Sequence, residues 1–457
     1  MYLPDATELN NYWVGDLEGN DLLPGVTDLY VGVFIRASSD EIVVCRSHDE
    51  LNSFVGNELN LGRKFVFHNA IGYDAPALNR IAKTRLTIND IIDTQVMSLL
   101  YSPSLEGGHS LKAWGTRLNF PKTEFSDFSG YSKEMEDYCI NDTRLGKKVF
   151  LALVARMKQV GFSNQGIELE HRAWQLIKKQ QDNGFAFDIR NAHILYSMLC
   201  QKRDELQEEI YKVWPPQLTL IKTYKKAKKI DGSYTKDYLR HVEQYPKVII
   251  RNDESYDVWD YVSFNIGSPQ QRVEKLLELG WVPLPDEVTK TGQPSPTKKG
   301  QLVPSLLEFV STSGKPEIGL IANWIEVNAR ATMVNTWMEA YNDKTGCIHG
   351  SLWLANTLRY THSNPNTANI PAVRSSDSGP LLGESGAYTY EARNLWTTRD
   401  QNSRCLVGVD AKGIQLRVLA HYLNNEAFIK EVVDGDPHSY NQEIGGFRTR
   451  SIAKTFI

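Results

Sequence analysis

Between Tyr12 and Met157 short apolar runs alternate with helical periodicity, and that alternation restricts this part of the chain to an α/β sheet domain. Tyr12 to Asp16, Leu29 to Ile35, Ile42 to Cys45 and Lys64 to His68 read as strands. Residues 76–82, 94–100 and 132–157 read as helices. From Ile167 the pattern becomes mainly helical, with amphipathic stretches at 168–181 and 192–213, the second stopped by Trp214-Pro215-Pro216. Helix resumes at 269–279, a Pro/Gly/Thr/Lys linker fills 283–300, and a further helix covers 318–341. The last section opens at Ile348-His349-Gly350 and is loop-rich, except for a strand-turn-helix at 405–423.

At 457 residues the chain has room for several packed cores, and its 41% apolar and 23% charged content is that of a soluble protein. No stretch approaches the roughly 20 apolar residues of a membrane span. The start, Met1 to Glu8, lacks a basic, apolar leader, so a cytosolic protein with no membrane partner is expected. The five cysteines are scattered and form no Cys-x-x-Cys pair, which argues against structural zinc and against a disulfide framework. The net charge of −4 is uneven: residues 212–251 carry +7, leaving −11 elsewhere. Such a block suits a polyanionic or acidic partner, or is a solvated lysine-rich loop.

Three elements of the first domain carry carboxylates. Asp16 and Glu18 lie two apart at a strand end and so share a face; two such acids repel unless a cation lies between them, although exposed pairs of this kind are common. Asp74 follows Phe67-His68-Asn69 and a small-residue turn, ahead of a helix expected to start at Pro76, where an Asp is also an ordinary cap. Tyr138 and Asp142, four apart, share a helix face.

In order and spacing, Asp16-x-Glu18, Asn69-x3-Tyr73-Asp74 and Tyr138-x3-Asp142 resemble the DEDD superfamily of 3′–5′ exonucleases, in its tyrosine variant. Asp93-Thr94 and His109-Ser110-Leu111-Lys112-Ala113-Trp114-Gly115 fit the same pattern. The resemblance implies an RNase H-like domain over residues 1–160 that binds single-stranded DNA 3′ ends. It also implies phosphodiester hydrolysis with two Mg²⁺ ions about 4 Å apart, Mn²⁺ being an alternative. Four carboxylates without His or Cys suit that hard ion. Asp16 would bridge both metals, Glu18 and Asp142 would complete one site, Asp74 would hold the other, and Tyr138 would orient the water.

Leu406 to His421 delivers Asp410 and Ala411 to the end of an apolar run followed at once by a helix. The segment resembles motif A of family A DNA polymerases, particularly the replicative enzymes of short-tailed phages. Lys412 and Gln415 replace the family's usual Ser and Glu. Gln415 is nearly isosteric with that Glu, so a steric gate against ribonucleotides could persist with altered charge. Phe264 to Gln270, with Asn265 and Ser268, resembles the thumb signature that grips duplex backbone. Arg359, Thr361 and Asn364 to Pro371, with Asn369, resemble the palm segment along primer and template. Gly435-Asp436-Pro437-His438 matches the Gly-Asp-x-His at the incoming nucleotide, and Arg450 and Lys454 match motif B, where a triphosphate would relieve the repulsion of two cations one turn apart.

The implied architecture is multidomain, α/β and α+β. A mainly helical thumb occupies 161–345, with a basic insertion at about 212–260, and a partial palm with the start of the fingers occupies 346–457. Motif B breaks off after Thr455-Phe456-Ile457, and motif C with its second catalytic Asp is missing. The expectation is a phage replication polymerase, in the cytoplasm of an infected bacterium, that extends a primer-template with dNTPs only with a C-terminal chain, as in a split, intein-interrupted or truncated enzyme. A stand-alone exonuclease with a DNA-gripping remnant is the alternative. In the phage enzymes an insertion at this place binds host thioredoxin. Direct phosphate contact by Lys222, Lys225, Lys226, Lys228 and Lys229, or a disordered loop, would account for the same residues.

Overall fold

The computed structural model describes residues 2–298, 301–400, 402–448, 450 and 453–454. They form two units, 1–397 and 398–457. The first begins with strands β1 (Tyr12–Gly19), β2 (Leu29–Arg36) and β3 (Ile42–Cys45), helix α1 (His48–Asn60), strand β4 (Lys64–Phe67), helix α2 (Asp74–Ile81) and strand β5 (Ile91–Asp93). Helices α3 (Thr94–Tyr101), α4 (Leu111–Arg117) and the long α5 (Lys133–Gln159) follow. The sheet order is β3-β2-β1-β4-β5. β1 runs antiparallel to β2 and parallel to β4, with Trp13 opposite Arg36 and Phe65.

Alternation along β1 splits its side chains between two cores. Trp13 and Leu17 pack with Phe34, Phe65, Leu51 and Leu78 on one face. Tyr12 and Val14 face Val149, Phe150 and Leu153 of α5 on the other. Asp16 and Glu18 belong to the α5 face by the same period of two. Gly15 is required by close approach: a Cβ there would lie 2.5 Å from the Phe67 ring and 2.9 Å from that of Phe34.

A charged cluster pins the start of α5. Glu136, 2% exposed, accepts hydrogen bonds from Arg46 Nε at 2.6 Å, Tyr131 Oη at 2.8 Å and Lys133 Nζ at 2.7 Å. Arg46 foremost holds the Glu136 carboxyl down at about 2, below its ordinary 4.5. A depressed carboxylate contributes stability above its unfolded pKa and loses it as the pH falls through the folded one. Glu136→Gln is therefore expected to cost about 1–2 kcal/mol at pH 7, most of the pairing being screened at the Arg46 end. In urea titrations the deficit should shrink as the pH is lowered from 4.5 towards 2. A deficit independent of pH would show that the carboxylate charge contributes nothing.

Beyond α5 come α6 (Asn164–Asn183), β6 (Phe185–Phe187) and α7 (Ile189–Val213). The basic block, read from sequence as aperiodic, is instead folded. Strand β7 (Gln217–Tyr224), helix α8 (Lys236–Gln244), β8 (Lys247–Ile250) and β9 (Tyr256–Val262) make a sheet of order β7-β9-β8. Its core is small: Ala227, Tyr256 and Val258, with Tyr224 stacked on Tyr256 at 5.1 Å and His241 Nδ1 2.9 Å from the Tyr256 hydroxyl. The pattern was hidden because nearly every β7 residue is exposed and its partner β9 is remote in sequence. Where the block begins and ends, Trp214 and Phe264 meet edge to face at 5.5 Å.

Helices α9 (Pro269–Leu279), α10 (Pro304–Thr312) and α11 (Pro316–Glu339) follow, and α11 packs along α7 through Leu195, Leu199, Ile321, Ile325 and their neighbours. β6 lies between Cys347–Ile348 and Trp396–Thr397 in a four-stranded sheet. The second unit has helices Ile414–Leu423, Glu426–Asp434 and Pro437–Gly445. The strand expected at 405–410 is absent from it. Strands need a hydrogen-bonded neighbour, and Leu406, Val407 and Val409 are largely exposed with no described strand beside them. The expected apolar terminus, residues 455–457, lies outside the described residues. No described helix is long and apolar enough to cross a membrane, and none of the five cysteines forms a disulfide among the described residues.

Candidate functional site

β1 and β4 are parallel, so the carboxyl end of β1 and the loop leaving β4 emerge on the same side of the sheet, where open α/β sheets hold their ligands. β1 supplies Asp16, opposite Val33, and Glu18, opposite Val31. The β4 loop supplies Asp74, which is the first residue of α2 itself; the helix opens two residues before the expected Pro76, and Tyr73 rather than Asp74 holds the N-cap position. Asp93 organises that loop. Its Oδ1 accepts the Asn69 amide at 3.1 Å and its Oδ2 the Ile71 amide at 3.0 Å, while Oδ1 also caps α3 through Gln95 at 2.9 Å and Val96 at 3.3 Å. Asn69 adopts a left-handed φ of 79°. α5 lies across β1 and β2 and brings in Tyr138 and Asp142.

The five residues converge. Glu18, Asp74 and Asp142 are 9%, 4% and 2% exposed. Burial, then mutual repulsion, raises Asp16, Glu18 and Asp74 above the carboxylate range; for Asp16 the strongest repulsion comes from Asp142, and for Glu18 from Asp16. Burial raises Asp142 too, against a lowering pull from Lys122. Burial also pushes the Tyr138 hydroxyl up to about 12, so it stays protonated. Its ring stacks on Phe125 at 5.5 Å.

Two observations test whether a divalent ion fits. Ligand atoms of Asp16, Glu18 and Cys139 lie within 4.8 Å of one another, the one such grouping among the described residues. Asp142 Oδ1 is buried with no hydrogen-bond partner, as a ligand oxygen awaiting its cation would be. Cys139 points its Sγ to the Asp16 carbonyl at 3.4 Å, and burial holds it protonated, so the oxygens are left as donors, a set suited to Mg²⁺. Three participants escaped the sequence reading of roles: Lys122, whose Nζ is 2.6 Å from Asp142 Oδ2, Cys139 and Asp93. Cys139 and Asp93 sit beside quoted motif residues, whereas no spacing rule marks a lone lysine in a loop.

The other expected positions are dispersed. Ser268 caps α9 by accepting the Gln271 amide, and Asn265 Oδ1 accepts the Gly267 amide at 2.9 Å, so both organise a helix start. Arg359 and Asn369 are exposed. Lys222, Lys225, Lys226 and Lys229 are exposed and Lys228 is half-buried, with Lys222 over the Tyr224 ring at 4.9 Å and Lys228 over Tyr234 at 5.7 Å.

In the second unit Asp410 and Gln415 are exposed, and the Ala411 carbonyl accepts the Ile414 amide at 3.3 Å. The helix there is entered through Gly413 in a left-handed conformation, so Asp410 does not cap it. His438 is half-buried with Nδ1 unpaired among the described residues. Arg450 is neutralised without any polyanion: its Nε and Nη2 reach the Asp436 carboxylate at 2.6 and 2.9 Å, holding that acid well below the carboxylate range. Lys454 is exposed and helical.

Among solved structures the fold is that of the POL domain of Pol1 from M. smegmatis, solved in complex with DNA primer-template and dNTP: TM-score 0.60, 16% identity, covering 94% of this chain and 64% of that one. Residues 236–442 match the sequence model of DNA polymerase family A. The DNA-directed DNA polymerases of Escherichia phage T7 and Enterobacteria phage T3 are each 28% identical over 97% of this chain and 74% of their own length. DNA polymerase I of Helicobacter pylori is 26% identical over 71% of this chain and 33% of its own length. Over residues 236–442 the chain thus matches DNA polymerase family A, and over nearly its whole length it is similar to the phage DNA polymerases.

Proposed function

We propose that residues 1–160 form a DEDD-type 3′–5′ exonuclease that proofreads for a phage DNA polymerase. The observation that carries this is the convergence of Asp16, Glu18, Asp74 and Asp142 from three separate elements, with Tyr138 beside them and one buried carboxylate oxygen left unpaired. Burying four acids together is unfavourable unless cations join them. The four carboxylates would hold two Mg²⁺ ions, which supply charge to activate water and to stabilise the leaving oxygen. Tyr138, protonated, is a hydrogen-bond donor for the attacking water. The test is release of nucleoside 5′-monophosphates from a 3′-labelled single strand with Mg²⁺ and with EDTA. Release that EDTA leaves untouched, or no release, would refute the reading.

The polymerase relationship extends the proposal: residues 161–345 serve as the thumb, with the folded insertion at about 212–260, and 346–457 as part of the palm and fingers, acting on primer-template and dNTP. Nucleotidyl transfer at Asp410 needs a second carboxylate, and Asp410 belongs to no metal-holding group among the described residues. The first reading requires a further carboxylate to complete the site beside Asp410. The same observation favours the other reading, an exonuclease whose polymerase section only grips DNA. Primer extension separates them: template-dependent synthesis that Asp410→Ala abolishes supports the first, and no synthesis supports the second. The insertion's exposed Leu220, Ile221, Ile230 and Tyr261 beside its lysines suit a protein partner such as host thioredoxin, whose co-purification should survive moderate salt.

A further inference from the structure

Lys122 sits in the loop between α4 and α5, half-buried, and its ammonium is the cation that the carboxylate cluster already possesses. It contacts Asp142 Oδ2 at 2.6 Å and lies 5.0 Å from the centre of the Tyr138 ring. It is near enough to Asp16 and Glu18 to act on both electrostatically. The other oxygen of Asp142 has no partner. Beside the lysine opens a cavity of about 410 Å³, lined by Lys112, Lys122, Thr123, Glu124, Phe125 and Tyr138. The side chain therefore has somewhere to go: a flexible four-carbon stem can move its head from Asp142 into polar, solvated space between Glu124 and the aromatic rings.

We propose that Lys122 is a built-in counter-ion that holds Asp142 in the metal-free protein and competes with the divalent ion for it, leaving Asp142 Oδ2 for the adjoining cavity when the ion is taken up. This rests on the reading of the four acids as a metal site and adds a device to it. Its physical content is exchange: one resident charge stabilises the carboxylates whenever no ion is bound, and displacing it subtracts from the net affinity for the ion. Lys122 is in this sense a positioning residue, acting through Asp142.

The test is Mn²⁺ binding, followed by the electron paramagnetic resonance signal of the free ion, in wild type, Lys122→Met, Lys122→Arg and the Asp16→Ala/Glu18→Ala variant. Removing a unit charge a few ångströms from the site should tighten Mn²⁺ roughly tenfold in Lys122→Met. Lys122→Arg, which keeps the charge, should bind as wild type does. In EDTA, Lys122→Met should melt below wild type and gain more from added Mn²⁺. Unchanged or weaker Mn²⁺ binding in Lys122→Met would overturn the proposal while leaving the metal site standing. Wild-type binding that survives loss of Asp16 and Glu18 would overturn the metal site itself, and this inference with it.

Discussion

Alanine at both Asp16 and Glu18 is expected to abolish Mg²⁺-dependent release of monophosphates from DNA 3′ ends, by about 10³-fold or more, since both of the proposed metal positions would lose a ligand. Stability should move the other way. Glu18 is buried and Asp16 half-buried beside Asp142 and Asp74, and lost hydration and repulsion destabilise their charged forms. Removing them relieves the metal-free fold, so the double variant should melt above wild type in EDTA and gain nothing from Mg²⁺. Activity within tenfold of wild type, or equal melting shifts with Mg²⁺ in both proteins, would take these residues out of the metal site.

The second large effect is expected at Asp93, which contacts no proposed substrate. Its carboxylate satisfies four amides, two in the loop that delivers Asp74 and two at the start of α3. Asp93→Ala leaves these buried donors unpaired, at a cost of about 3–5 kcal/mol. Asp93→Asn separates charge from geometry. One amide oxygen can still serve Asn69, Gln95 and Val96, but the amide nitrogen then faces the Ile71 N–H. That variant should fold, with an intermediate loss of stability, and should lose exonuclease activity as the Asp74 loop shifts. Chemical denaturation with activity measured on the same samples checks both; an Asp93→Ala protein as stable as wild type would show that water replaces the carboxylate.

The α/β domain was legible because its strands alternate and its helices are capped. β3 runs from Ile42 to Cys45, as its pattern predicts, and α9 from Pro269 to Leu279. Strand period and helix turn made legible only that Asp16 and Glu18 share a face, as do Tyr138 and Asp142; grouping them with Asp74 rested on the family resemblance. Helix α1 was missed because its buried side is only Leu51 and Val55, too sparse to register as periodicity. The insertion was missed because its sheet closes through pairing remote in sequence. The expected strand before Asp410 failed for the opposite reason: its local pattern is apolar, but a strand is a relation between segments. Lys122 reaches Asp142 through tertiary folding alone, which no spacing encodes.

The edge-to-face contact of Trp214 with Phe264 has a further consequence. The insertion leaves and re-enters the helical section at a single pinch, and it carries its own aromatic core around Tyr256. A segment attached in this way is a cassette: it can be excised, lengthened or exchanged without moving the two ends that hold it. The sheet can therefore change in sequence without disturbing the helices that flank it.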